Sequence, residues 1–410
     1  MSFKATTQSI KADKAIMTNI KSSRIISLDV LRGIIMVIMA LDHVRDYFNY
    51  GSFFVDPSNI ETTNPALFFT RFITHFCAPI FIFLAGTSAF LYGEKKTKKE
   101  LATFLLTRGL WLILLERGVN NLIWTFDITY SLKIFQVIWA IGMCMVILSA
   151  LIYLNKNVLL VLGLILIVLH NTLDGFTMTG NSSEAILWYL LHQDQAIVLH
   201  ENSIIFFHYP LIPLIGVMSM GYLFGELYSS SFDVIKRKKW LIGLGLGLLS
   251  LFLIMRGINI YGDLLPWKNY ETTTKTVMSF LNVTKYPMSL LYLSLTLGIA
   301  FLALYFLEGI QNKFTKFFLV FGRVPLFYYF MHMLVIHITA IIGILLFGGN
   351  WTEMILTAKS FLAEDLKDYG YPLYAVYGIW AFVILMLYPL CKRYMIYKAN
   401  NRDKWWLSYL

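Results

Sequence analysis

The sequence predicts an all-α polytopic integral membrane protein of about ten spanning helices, with both termini in the cytoplasm. Three observations lead there. Of 410 residues, 58% are apolar and only 14% are charged, whereas a soluble domain carries roughly a quarter charged residues. The apolar residues gather into runs of the length a bilayer crossing needs, about 20. Lys and Arg gather in alternate gaps between those runs, as cytoplasmic loops do.

Taken in order, residues 1–24 are polar and basic and lack the apolar core of a signal peptide. The first span, 25–48, is then its own insertion signal. The second, 66–92, contains Gly86–Ala89 (GTSA), a small-residue surface suited to close helix packing. Spans follow at 103–124, 132–153, 157–171, 204–228, 240–257, 286–308, 317–346 and 372–391. Counted from inside, the cytoplasmic gaps hold Lys95, Lys96, Lys98 and Lys99, then Lys236, Arg237, Lys238 and Lys239, then Lys313 and Lys316. Lys392, Arg393, Lys398, Arg402 and Lys404 follow the last span. The outer gaps at 49–65 and 172–203 contain no Lys or Arg. The domain organisation is therefore a cytoplasmic basic tail (1–24), one transmembrane domain (25–392) and a second basic tail (393–410). The net charge of +10 belongs to these loops and does not point to nucleic acid. Cys77, Cys144 and Cys391 sit in or beside apolar runs and behave as small hydrophobes, with no disulfide framework. The longer outer connections at 172–203, 258–285 and 347–371 have room for interfacial pieces. The mixed aromatic and polar stretch from Ser182 to His200 suits a loop folded over an outer site or an interfacial helix.

Chemistry concentrates on the first span. At 100° per residue, Asp29, Arg32, Met36, Met39, His43 and Asp46 fall on one stripe. Arg32 and His43 lie nearly in register, about 16 Å apart along the axis. Charges within a bilayer are costly unless they face a partner or a cavity. Asp29 and Arg32 can neutralise each other across one turn, or Arg32 can meet an anion at the inner mouth. Other spans bring polar groups to the outer level: Arg71 and His75, His208, Asn282 and Lys285, and His332 and His337. Six histidines near one depth (His43, His75, His200, His208, His332, His337) are either packed individually or surround a polar cavity. Imidazole serves as a general base or acyl carrier near neutrality. No HExxH or other metal-ligand spacing occurs, and no metal cofactor is expected.

These residues stand in a familiar arrangement. SLDVLRG, ALDHVRDYF and FFTRFITHFCAPIFIFLAGTSAFLY, in that order, resemble the heparan-α-glucosaminide N-acetyltransferase family and its bacterial relatives. So do YPLIPLIGVMSMGYLFG at Tyr209–Gly225, NVTKYPMSLLY at Asn282–Tyr292 and FGRVPLFYYFMH at Phe321–His332. The blocks span nearly the whole chain. The resemblance implies a homodimeric acetyltransferase of a bacterial cytoplasmic (inner) membrane. It would pass the acetyl group of cytoplasmic acetyl-CoA to an amine or hydroxyl of an extracytoplasmic saccharide. On that basis His43 is the expected catalytic base or acyl carrier, oriented by Asp42 or Asp46, with His75 its competitor. Asp29, Arg32, Met36, Met39 and Arg323 are expected to bind acetyl-CoA. Arg71, His208, Asn282, Lys285 and His332 are expected to line the acceptor side. The sequence departs from the family in having no histidine between Tyr47 and Arg71, where other members place their proposed active-site histidine. A transporter of an anionic small molecule is the alternative reading.

Overall fold

Long apolar runs must either pack against one another or face lipid, and here they do both. The computed structural model describes residues 25–200, 202–401 and 403–408. The amino-terminal basic tail, Arg402 and the side chain of His200 lie outside the described residues. Among those described, six helices are long and apolar enough to cross a membrane: 65–93, 211–228, 234–258, 290–307, 325–346 and 373–400. The chain is a mostly helical membrane protein.

Helix α1 (Ile26–Phe48) has 23 residues, enough to cross a bilayer at 1.5 Å per residue, but it is charged. Most of it is buried, because it stands inside the bundle, against α13 (Lys313–Arg323), α14 (Pro325–Leu346) and α16 (Leu373–Asn400). Its polar groups thus meet protein, as the cost of burying charge in lipid requires. Helix α10 (Val234–Ile258) and α16 instead turn leucines and isoleucines such as Leu253, Ile254 and Leu385 outward.

Close approach of helices is achieved at facing glycines. A methyl group added to Gly33 would lie 1.8 Å from the Phe318 carbonyl oxygen, and one on Gly322 would lie 1.8 Å from that of Asp29. The two backbones touch there, bringing α13 onto α1. Gly86 of α3 (Cys77–Gly93) and Gly221 of α9 (Leu211–Phe224) repeat the arrangement, each with a 2.1 Å conflict against backbone oxygen. The small-residue packing surface read at Gly86 is this contact.

Several spans differ from expectation. The second breaks at His75–Phe76 into α2 (Pro65–Thr74) and α3. The ninth breaks at Val324 into α13 and α14, because Pro325 disfavours helical geometry in the residue before it. The third holds α4 (Lys98–Leu115), a π-helical turn at Glu116–Asn120, and α5 (Asn121–Thr125). The last helix runs to Asn400, so Arg393 and Lys398 lie on a continuation of it. The all-α expectation is corrected by a small sheet. Leu132–Phe135 (β1) and Ser203–Phe207 (β3) pair in parallel, and Gln195–His200 (β2) lies antiparallel on β3. Both β1 and β3 are short apolar runs directly upstream of helices, and periodicity alone merges such a run with the helix that follows. Helix α6 (Val137–Leu151) follows β1.

Gly33→Ala and Gly322→Ala are each expected to abolish a folded, monodisperse protein in detergent. Gly247→Ala, with open space at its Cβ position, should elute and melt as the wild type does. Size-exclusion chromatography with thermal unfolding checks both.

Candidate functional site

The polar stripe on α1 faces two adjacent cavities that share part of their wall. The first, of about 360 Å³, lies at the Arg32 end and is lined by Arg32, Met36, Met39, Arg108, Arg323 and Lys398 among others. The second, of about 280 Å³, lies at the Asp46 end and includes Asp42, His43, Asp46, Arg71, His208 and Lys285. Met39, Phe81 and Val137 line both and form an apolar waist.

The first cavity is cationic. Its described lining carries four basic side chains and no carboxylate. Arg32 is held from below by the Asp29 carboxylate (2.8 Å), the Gly322 carbonyl (3.3 Å) and Ser88 Oγ (3.1 Å). Arg323 Nε stands 3.7 Å from the other Asp29 oxygen. One carboxylate outside the cavity therefore orients two guanidinium groups at its wall. The Asp29–Arg32 pair exists, and Arg32 lines the cavity as well. Arg108 and Lys398 were not anticipated. Arg108 sits inside an apolar run, and a cation there is itself a signal; Lys398 was assigned to a tail.

In the second cavity, Asp42 is the hub. It accepts from Arg71 (3.1 and 3.2 Å) and Thr74 Oγ1 (2.8 Å), and pairs with Arg45 (2.8 Å) and Lys285 (3.8 Å). The carboxylate nearest His43 is Asp46, with Oδ2 3.9 Å from Nδ1. The His43 ring is part-buried, and beyond that long approach to Asp46 neither nitrogen has a hydrogen-bond partner among the described residues. Around the ring stand Trp124 and Tyr329 edge-on (5.0 and 6.1 Å) and His332 tilted against it at 5.3 Å. Trp124 and Tyr329 were also missed, since aromatic residues in apolar runs give no pattern of their own.

Two expected acceptor-side residues, His332 and Asn282, do not line either cavity. His332 is fully buried behind His43, with Nδ1 2.8 Å from the Tyr328 carbonyl. Asn282 donates to the Ser58 carbonyl (2.9 Å), and its own carbonyl accepts from buried Arg256 (2.7 Å). Arg256 also holds the carbonyls of Leu265, Ser279 and Phe280, so it fixes the connection that delivers Lys285. His337 bonds the Ile123 and Met354 carbonyls (2.7 and 2.8 Å) and ties down the segment that carries Leu356 over the cavity. His75, expected as a competitor to His43, packs at the α2–α3 break against Tyr292 and lines neither cavity.

The roof is fixed from outside the spans. Ser131 Oγ donates to Asp127 (2.5 Å) and accepts from the Ala358 amide (2.9 Å). Burial raises the Asp127 carboxyl, but bonds from Ser131 and Thr129 outweigh it and hold it below the usual range. Phe206 of β3 and Phe361 complete the cover.

Residues 24–261 match the family described as heparan-alpha-glucosaminide N-acetyltransferase, catalytic. The chain belongs to this family. No curated protein matches it in sequence. The matched residues of this N-acetyltransferase family member carry Arg32, His43, Asp46, Arg71 and Arg108. Lys285, Arg323, Tyr329 and Lys398 lie beyond the match in sequence and join the same two cavities in space.

Removing the Asp42 charge strands three cations around a buried site. Asp42→Ala is expected to cost about 3–5 kcal/mol, the usual penalty for breaking a buried pair from one side. Asp46→Ala, whose carboxylate is more exposed, should cost less. Unfolding in detergent measures the difference.

Proposed function

We propose that this membrane acetyltransferase moves the acetyl group of acetyl-CoA to an amine or hydroxyl of a saccharide on the opposite side of the membrane. The observation that carries the reading is the pair of cavities meeting at one apolar waist, with His43 beside it. The four cations of the first cavity suit the phosphates of CoA, for which guanidinium groups offer bidentate bonds. Met36 and Met39 supply an apolar wall for the pantetheine arm. The roughly 16 Å between Arg32 and His43 is comparable with that arm extended. His43 then takes the proton of the attacking amine or hydroxyl, with Asp46 stabilising the imidazolium. Arg71, Lys285 and His208 face the acceptor. In this proposal the Arg32 end opens to the cytoplasm, in keeping with the basic loops, of a bacterial inner membrane. Ten spans, inward-facing termini and a homodimer complete it.

Incubation of purified protein with acetyl-labelled acetyl-CoA should show binding and slow turnover, lost in His43→Ala with binding retained. Protein that binds no acyl-CoA, yet carries an anion across vesicles without forming product, would overturn the reading. A second measurement isolates the first cavity. Arg108→Ala should raise the KM for acetyl-CoA about tenfold, one lost phosphate contact of roughly 1.4 kcal/mol. It should leave the KM for S-acetyl-N-acetylcysteamine, which lacks the phosphates, unchanged.

A further inference from the structure

Between α4 and α5 the helix takes a π-helical turn, a feature that costs regular hydrogen bonding and is frequent at functional sites. The turn brings Glu116 and Asn120 together inside the bundle, 1% and 0% exposed. Asn120 Nδ2 donates to Glu116 Oε1 (2.9 Å) and also faces Tyr329 Oη at 3.3 Å. Glu116 Oε2 and Asn120 Oδ1 make no side-chain hydrogen bond among the described residues, while the backbone amides of Gln136 and Trp139 face the carboxylate. No cation pairs with Glu116 among those residues either: the neighbouring Arg117 lies over the Phe135 ring and reaches the Ile134 carbonyl. An ionised, unpaired carboxylate at such a place is costly. One proton on Glu116 removes the charge and provides a donor for its neighbour, closing an acid–amide pair.

That pairing has a direction. Asn120 uses one N–H on Glu116 and turns the other to the phenol oxygen of Tyr329, which is thereby an acceptor from Asn120. Among the described residues the phenol proton then meets Gln136 Oε1, at 3.5 Å. Tyr329 lines the first cavity beside the waist, and its ring edge meets His43. Trp124, also edge-on to His43, lines the second cavity and brings a buried indole N–H toward the phenol oxygen of Tyr329. Indole N–H is a donor and never an acceptor. Two donors, the phenol and the indole N–H, therefore stand beside the His43 ring, whose nearest carboxylate is 3.9 Å away.

Resting on the acetyltransferase reading above, we propose that Tyr329 and Trp124 form the oxyanion site for the thioester carbonyl, with Asn120 and protonated Glu116 as positioning residues for the phenol. The acceptor nitrogen or oxygen bonds to the carbonyl carbon, and the carbonyl π pair moves to oxygen, where the phenol and indole donate to it. His43 takes the proton of the nucleophile. The pair returns as the C–S bond breaks, and the thiolate of CoA leaves with the proton from His43. Donors aimed at developing charge in a water-poor site lower the barrier without reorganising.

The test uses full-length protein in detergent, labelled acetyl-CoA as donor and glucosamine as the acceptor probe. Tyr329→Phe should lower kcat on the order of 100-fold while KM for acetyl-CoA stays within about threefold, since a transition-state contact is lost and a ground-state one is not. Trp124→Phe should lower kcat in the same sense. Glu116→Leu should lower kcat, and Glu116→Gln, which keeps a neutral donor facing Asn120, should recover most of that loss. Wild-type turnover with Tyr329→Phe unimpaired in kcat overturns the oxyanion site alone. Glu116→Gln as inactive as Glu116→Leu overturns the neutral-acid arrangement. A wild type that neither binds nor turns over acetyl-CoA overturns the acetyltransferase reading and this proposal with it.

Discussion

The contact between Gly33 and Gly322 is the constraint on which the site depends. Lipid gives helices no hydrophobic reason to associate, so close packing of backbones must supply the attraction. At this crossing any side chain would strike a carbonyl oxygen, and the two helices meet backbone to backbone. Asp29, Arg32 and Arg323 stand within one turn of it. The shared use of one carboxylate by two guanidinium groups is therefore a product of helix approach as much as of charge. Helix α13 ends at Arg323 because Pro325 follows, and that break aims the arginine into the cavity.

The second cavity is organised by a different economy. Three cations and a threonine hydroxyl converge on Asp42 from three parts of the chain: α1 itself, α2 and the connection before α12 (Leu290–Leu307). Asp42 thereby joins three elements that no apolar contact would hold in register. The cost of isolating any one of these charges keeps the set together. His43, one residue further on, stands at the edge of this network, with Asp46 at 3.9 Å as its nearest carboxylate. A structural histidine is normally satisfied, as His337 is by two carbonyls.

Much of this was legible in the sequence, for definite reasons. The stripe from Arg32 to Asp46 follows from helical periodicity, and the cavities lie along it. Charges inside apolar runs identified Arg32, Arg71 and Arg323, because such charges need a partner or a cavity. The same reasoning applied to Arg108 would have found it. Asn282, His75 and His332 were read by depth alone, which ranks residues along the membrane normal but says nothing of the direction they face. The sheet was hidden because β1 and β3 are apolar and abut helices. Trp124 and Tyr329 matter through their edges and polar tips, and no spacing in an apolar segment distinguishes those from filler. Helix breaks were signalled by Pro325 but passed over in favour of one long apolar run.

The apolar waist has an electrical consequence. With the two cavities opening to opposite faces, as proposed above, Met39, Phe81 and Val137 stand as a thin insulating partition in place of about 30 Å of hydrocarbon. A membrane potential then falls mostly across that partition. Carrying one elementary charge through it involves about 2.3 kcal/mol per 100 mV. A neutral two-carbon unit crosses such a field without electrical work, whereas a phosphate-bearing carrier does not. On that proposal, a partition this thin discriminates by charge as well as by size.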